Sequence, residues 1–271
     1  MYTVGSPRPP KQPRTRRPMR RAALRRESKP MTPRWVSVPA ASQPFDRVFV
    51  INLERRPDRL DAFWGHGPEE WPWRMPILHK AVDGDTVKSP GWFKGPSGAW
   101  GCLMSHVAIW EMQIEEGWDS VLVLEDDAEF CRDAVKRMRD TLDCVPDDWD
   151  QIYFGGQHWQ EQETPPEVAA RNRLVRCQNV NRTHAYAIRL PFAKTARDAV
   201  LNPLWPADAN QHHVDYRLGD MHAQYNIYAP WRFCIGQSRG ESDVRSRNGR
   251  SARVTAHMWN HFPIAEPAEV V

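Results

Sequence analysis

The sequence predicts an α/β fold on a mostly parallel sheet flanked by helices. Three observations carry that expectation. Arg47-Val48-Phe49-Val50-Ile51-Asn52-Leu53 and Val121-Leu122-Val123-Leu124 are short, nearly continuous apolar runs, the pattern of strands buried on both faces. Trp149 to Gly156 is a third run, with Gly155-Gly156 as a turn at its end. Apolar residues recur at helical spacing between these runs. A helix is expected over Gly98 to Ile114, closed by Gly117, and an amphipathic one over about 129–143 on Phe130, Ala134, Met138 and Leu142.

The 271 residues suffice for one or two domains. Charge is unevenly spread. Residues 1–34 hold 11 of the 37 Lys and Arg and one acid, Glu27, which leaves 26 basic and 33 acidic groups in 35–271. Basicity therefore belongs to the tail and not to the folded part, so the overall charge is no argument for nucleic-acid binding by the latter. Residues 1–44, rich in Pro and Arg, are expected to be disordered, with a folded domain over 45–250 and a tail over 251–271. A basic arm can touch nucleic acid; a leader without a role, with Met19 or Met31 as the start, is the plainer alternative. Five scattered cysteines without Cys-x-x-Cys spacing suggest free thiols. No apolar run suits a signal peptide or the ~20 residues of a transmembrane helix, so a cytoplasmic location is expected.

Chemistry is concentrated at strand ends. Glu125-Asp126-Asp127 follow the second apolar run directly. Ligands of open α/β sheets sit beyond the carboxyl ends of the strands. Three adjacent carboxylates repel unless a positive group lies among them, and an all-oxygen set suits Mg²⁺ or Mn²⁺. An extended chain puts Glu125 and Asp127 on one side and Asp126 on the other. Asp127, helped by Glu125 or Asp126, is expected to hold the ion; a solvated acidic turn is the alternative. Asn52 ends the first run, and Arg55, Arg56 and Arg59 follow around Pro57, which opens a helix. Their guanidinium forks match phosphate geometry.

The remaining segments add candidates. Ile77 to Val82 reads as a strand joining the sheet, and Asp83-Gly84-Asp85 as a turn. Glycines at the start of the 98–114 helix favour close approach of an anion, with Ser105 and His106 one turn in. A core helix with a hydrogen-bonded histidine explains the same residues. Residues 160–172 read as a loop, Leu174 to Leu190 as strand–turn–strand and Pro191 to Leu201 as a helix. Asp215, beside Tyr216, is a candidate general base or a helix-capping acid. Gln237 and Ser242-Asp243 lie among turn formers that suit a loop closing over a site.

Several of these fragments occur in a telling order. Val50-Ile51-Asn52-Leu53 with Arg55-Arg56-x-Asp58-Arg59 comes first. Gly98-Ala99-x-Gly101-Cys102-x-x-Ser105-His106 with Trp110 follows, then Val121 to Asp127. Ala185-Tyr186, Asp215, Gln237 and Ser242-Asp243 come last. Over about residues 46–247 this resembles glycosyltransferase family 25, which includes lipopolysaccharide glycosyltransferases and collagen galactosyltransferase domains. The resemblance implies a GT-A-type nucleotide-binding fold, a nucleotide-sugar donor (a UDP-sugar first among candidates) and Mn²⁺ or Mg²⁺ at the acidic motif. It implies nucleotide contacts from Asn52 and Arg56, and metal ligation by Glu125, Asp126 and Asp127. Ser105, His106, Gln237, Ser242 and Asp243 join the expected donor site. Gly155-Gly156-Gln157-His158, the histidine before Ala185-Tyr186 and the His212-His213 pair depart from the family's pattern.

The chemistry agrees: departure of a diphosphate calls for a cation, and attack by an acceptor hydroxyl calls for a base. An inverting transfer is expected, with Asp215 as base and Asp220 as its rival. His184 or His222 is expected to complete the metal shell or meet phosphate, and Trp100 or Trp159 to stack on sugar or base. The acceptor is expected to be a glycan. A hydroxylated base in DNA is the second reading, and a non-catalytic binding protein on a decayed transferase domain the third.

Overall fold

A computed structural model describes residues 35–37, 43–158, 167–170, 174–205, 212–230, 232–238, 241–245 and 251–253. Expectations for the rest of the basic tail, Trp159 and most of the 160–172 loop lie outside the described residues.

In chain order the elements are β1 (Val36–Ser37), β2 (Arg47–Asn52), α1 (Pro57–His66), β3 (Glu70–Trp71), β4 (Ile77–Lys80), α2 (Ser97–Glu116) and β5 (Ser120–Glu125). Then come β6 (Ala128–Phe130), α3 (Ala134–Leu142), β7 (Gln151–His158), β8 (Glu167–Ala170), β9 (Leu174–Arg176), β10 (Val180–Arg189), α4 (Leu190–Val200) and α5 (Val214–Gly219). The last are β11 (Ile227–Pro230), β12 (Ile235–Gln237), β13 (Glu241–Arg245) and β14 (Ser251–Arg253).

Eight strands form one sheet in the order β4-β2-β5-β10-β7-β11-β9-β8. The pairings run six of them in one direction and two, β10 and β9, against it. This is the mixed α/β, mostly parallel sheet that the apolar runs predict. Side chains alternate cleanly across it. Phe49, Ile51, Val121, Val123, Tyr153 and Tyr186 face α2, α4 and α5. Val48, Val50, Leu122, Leu124, Ile152 and Phe154 face α1, α3 and an aromatic cluster. The four apolar side chains of β5 are wholly buried, each contributing about 1.5–3 kcal/mol.

Four local expectations are corrected. Residues 35–37 lie within the segment expected to be disordered, yet Val36–Ser37 pairs with β3. Trp35 anchors it, buried among Phe63, Trp64, Trp71 and Phe130. Residues 251–253, assigned to the C-terminal tail, pair with β13. Phe130 does not start a helix. It belongs to β6, which pairs with β12 at Ile235, so a distant strand overrides the four-residue spacing. Gly155 and Gly156 do not turn the chain but lie inside β7. A Cβ on Gly155 would stand 2.4 Å from both His184 Nε2 and the Ile235 carbonyl, so the glycine is there for close approach.

Candidate active site

β2 and β5 are parallel neighbours, with Ile51 level with Glu125. Asn52 and the acidic motif therefore emerge together at one sheet edge. The strand ends at Glu125 and the chain turns at Asp126 and Asp127, so strict alternation stops there. Glu125 keeps the orientation of Val121 and Val123 and meets α2. His106 Nε2 lies 3.3 Å from Glu125 Oε1, and Thr183 Oγ1 donates to the same oxygen at 2.8 Å. Asp126 and Asp127 both turn instead to Arg59, which contradicts the expected split of Glu125 with Asp127. Arg59 Nη2 lies 2.6 Å from Asp126 Oδ1 and 2.5 Å from Asp127 Oδ2. Asn52 Nδ2 donates to Asp126 Oδ2 at 2.6 Å, and Gln237 Nε2 to Asp127 Oδ2 at 3.0 Å.

Electrostatics follow from this geometry. Burial pushes Glu125 up, but the hydrogen bonds from His106 and Thr183 work against it, and Glu125 is held below its ordinary value. Burial raises Asp126 and Asp127, and their mutual and Glu125 repulsion adds to it against the pull of Arg59. Arg59 loses by burial and gains more from the three acids, so its charge is secured.

Arginines also gather the C-terminal segment. Asp243 accepts from Arg55 Nη1 at 2.5 Å, Arg56 Nη1 at 2.7 Å and Arg59 Nη1 at 3.3 Å. β13 thereby lies over the first turn of α2, where a Cβ on Gly98 would stand 2.3 Å from the Asp243 carbonyl. Arg56 and Asp243, both expected at the donor site, do meet. The side chain of Ser242 lies outside what is described.

Other expected residues divide. Ser105 is spent on the backbone: its hydroxyl donates to the Gly101 carbonyl at 2.7 Å and accepts from the Val82 amide at 2.9 Å. It ties α2 to the loop after β4. His106 bridges Glu125 and the Tyr186 hydroxyl, 3.0 Å from Nδ1. His184 stands beside the acids; its Nε2 donates to the Ile235 carbonyl at 3.1 Å, while burial keeps the ring neutral against the pull of Asp127 and Glu125. Its Nδ1 and Asp127 Oδ1 are both buried without a hydrogen-bond partner. His222 sits elsewhere: Nδ1 accepts from the Val180 amide at 3.0 Å and Nε2 reaches Tyr153 Oη at 3.3 Å. With both nitrogens used, it has no lone pair to give a metal. Asp215 accepts from the amides of Arg182 at 3.1 Å and Tyr216 at 3.0 Å, and its charge reaches Cys102 beside Glu125. Asp220 is exposed and bonds Trp205. Trp100 is buried against Trp92 and Phe93.

Sequence reasoning missed the roles of Arg59, Thr183 and Arg182. Arg59 had a signal, since it lies one helical turn after Arg55 and Arg56. Arg182 had none. It adopts φ 77° in a bulge of β10, and its guanidinium donates to Gln237 Oε1 at 2.8 Å. Left-handed backbone in a non-glycine residue is costly and gathers at functional sites.

The acids do not bring three ligand atoms to one point. Asp127 Oδ1 and His184 Nδ1 are nevertheless suitable cation ligands with nothing else to bind, and Mg²⁺ or Mn²⁺ needs only one or two carboxylates when substrate phosphates supply the rest. The residues fit such an ion on that side of the site.

Residues 96–198, which hold α2, the acidic motif and β10, match the model of glycosyltransferase family 25 (LPS biosynthesis protein). That segment is similar to glycosyltransferase family 25. The inactive glycosyltransferase 25 family member 3 of Homo sapiens is 34% identical over 174 residues, covering 55% of this chain and 28% of that protein. Procollagen galactosyltransferase 2 of Mus musculus is 33% identical over 174 residues, covering 55% and 27%. The chain thus spans under a third of the length of these relatives. Mouse xyloside xylosyltransferase 1 is a solved structure with 13% identity and TM-score 0.35, covering 65% of this chain and 68% of that one. A nucleic-acid acceptor finds no support among these relatives. No helix among the described residues is long and apolar enough to cross a membrane.

Proposed function

We propose that the domain transfers a sugar from a nucleotide-sugar, a UDP-sugar first among candidates, to a hydroxyl of a glycan, with Mn²⁺ or Mg²⁺ at Asp127. The observation that carries this is the convergence on one strand end of Asp126 and Asp127, Arg59, Asn52 and Gln237, with Asp127 Oδ1 and His184 Nδ1 buried and unpartnered beside them. Asp127 and His184 would hold the ion, whose positive charge offsets that of the departing diphosphate. Asn52 and Arg56 contact the nucleotide. The forks of Arg55, Arg56 and Arg59 take phosphate oxygens, with Asp243 moving aside. Asp215 accepts the acceptor hydroxyl's proton as its oxygen bonds the anomeric carbon and the bond to diphosphate breaks, which inverts that centre.

The test is thermal stabilisation by UDP, GDP or CMP with and without Mn²⁺. A metal-dependent rise in Tm with one nucleotide, lost in Asp127→Asn, is expected. No rise with any of them sinks the reading. Asp215→Asn should then lower kcat by about 100-fold or more with donor affinity kept; Asp220→Asn should not. A second reading, a binding domain without catalysis, is favoured by Arg59, which already pairs with both Asp126 and Asp127 and offsets part of their charge without a metal. It predicts nucleotide binding indifferent to Mn²⁺.

A further inference from the structure

Three side chains on the α2 side of the strand end form a different constellation. Cys102 and His106 are four residues apart on α2 and share one helical face. β5 carries Glu125 to that face. A thiol sulfur, an imidazole nitrogen and a carboxylate oxygen from these residues lie within 4.8 Å of one another. A tetrahedral ion with bonds of about 2.0–2.3 Å holds its ligand atoms about 3.3–3.8 Å apart. The His106 Nε2 to Glu125 Oε1 distance is already 3.3 Å, so only the Cys102 thiol has to close in.

The surroundings suit a ligand histidine. His106 Nδ1 lies 3.0 Å from the Tyr186 hydroxyl, which also accepts from Trp110 Nε1 at 3.1 Å. If His106 donates Nδ1–H to that oxygen, the Nε2 lone pair points at Glu125 and Cys102, the outer-sphere arrangement of metal-bound histidines. Thr183 holds the carboxylate. A thiolate and a carboxylate cancel the charge of a dication, and the negative charges of Asp127 and Asp215 also bear on Cys102. Sulfur and imidazole favour Zn²⁺ or Co²⁺ over Mg²⁺ or Mn²⁺.

We propose that Cys102, His106 and Glu125 bind a thiophilic divalent cation of the zinc class, with water as the fourth ligand. Binding releases the thiol proton to solvent, and the imidazole proton passes from Nε2 to Nδ1. Glu125 exchanges its hydrogen bond with His106 for the ion. The site is distinct from the hard-cation position at Asp127 and His184. It stands on these three side chains whether or not the chain transfers sugar. If it does, Zn²⁺ at Glu125 crowds the donor site and inhibits at concentrations where Mn²⁺ supports turnover.

Titrating the full chain with Co²⁺ tests it. A near-ultraviolet thiolate-to-cobalt band, saturating at one equivalent and displaced by Zn²⁺, is the expected result. Cys102→Ser should abolish the band and His106→Gln should weaken binding roughly tenfold or more. Absence of the band, or its persistence in folded Cys102→Ser through one of the other four cysteines, overturns the site. Should Cys102→Ser not fold, maleimide labelling of the native chain decides. Zn²⁺ should slow modification of Cys102 roughly tenfold or more while Cys131 is unaffected; equal rates at Cys102 with and without Zn²⁺ reject it. Neither readout depends on nucleotide.

Discussion

Arg59 does at the residue scale what a bound cation was expected to do. Its guanidinium lies within 2.6 Å of oxygens on both Asp126 and Asp127, and 18% of its side chain is exposed. Removing it leaves two largely buried carboxylates uncompensated. Arg59→Ala should therefore lower unfolding free energy in urea by about 3 kcal/mol, within the range for breaking a buried pair. Arg59→Lys should recover part of this, since a lysine keeps the charge and loses the fork. Loss of less than about 0.5 kcal/mol in Arg59→Ala would mean that the pair behaves as a solvated surface bridge. Addition of Mn²⁺ should restore more stability to Arg59→Ala than to the native chain if the ion uses the same acids. Arg59's neighbours were legible from the sequence as acids after a strand. That one arginine would span two of them was not, because the turn at Asp126 breaks the alternation from which side-chain direction is read.

Close approach of elements sets the site's rear wall. β7 passes β12 and the His184 ring so tightly that Gly155 admits no side chain. Gly155→Ala should cost about 1–3 kcal/mol, as overpacked sites do. It should also shift β12 and loosen Gln237 from Asp127, so nucleotide stabilisation falls further than global stability. Unchanged nucleotide affinity in a destabilised Gly155→Ala chain would show that β12 moves independently of the donor site. The same strand explains the misread helix start. Phe130 keeps a helical interval with Ala134, but a β6–β12 pair holds it. Strand lengths and apolar faces could be read from local periodicity. The partner that converts a helix start into a strand lies about a hundred residues away and leaves no local mark.

Across the whole molecule, two buried histidines couple stability to pH. Burial lowers His158 to about 4 and His222 to about 3, so both fold neutral. A depressed value means that their contribution is fully present above the ordinary histidine pKa of about 6.5 and is lost as pH falls toward the folded values. Asp126 and Asp127, raised by burial, change stability in the opposite sense across part of this window. The histidine effect is therefore best read as a difference between variants. His158 stacks on Phe233 at 5.0 Å, with both ring nitrogens buried and unpartnered. His158→Phe keeps the stack and removes the titration. Its Tm should exceed the native value by a margin that widens as pH drops from about 7 to about 4. A margin independent of pH would assign the acid response to other groups.

The α/β class, the doubly buried strands, the long helix ending at Gly117 and the acids beyond β5 were all readable in advance, because each is written in neighbouring residues. The long-range partners came from the fold alone: Arg59 spans Asp126 and Asp127, Glu125 turns to His106 and Cys102, and Asp243 and Gln237 return to the same edge. Those meetings join segments up to 188 residues apart. Chain periodicity records which face a residue takes within its own element, whereas sheet order and close packing select the partner that face meets.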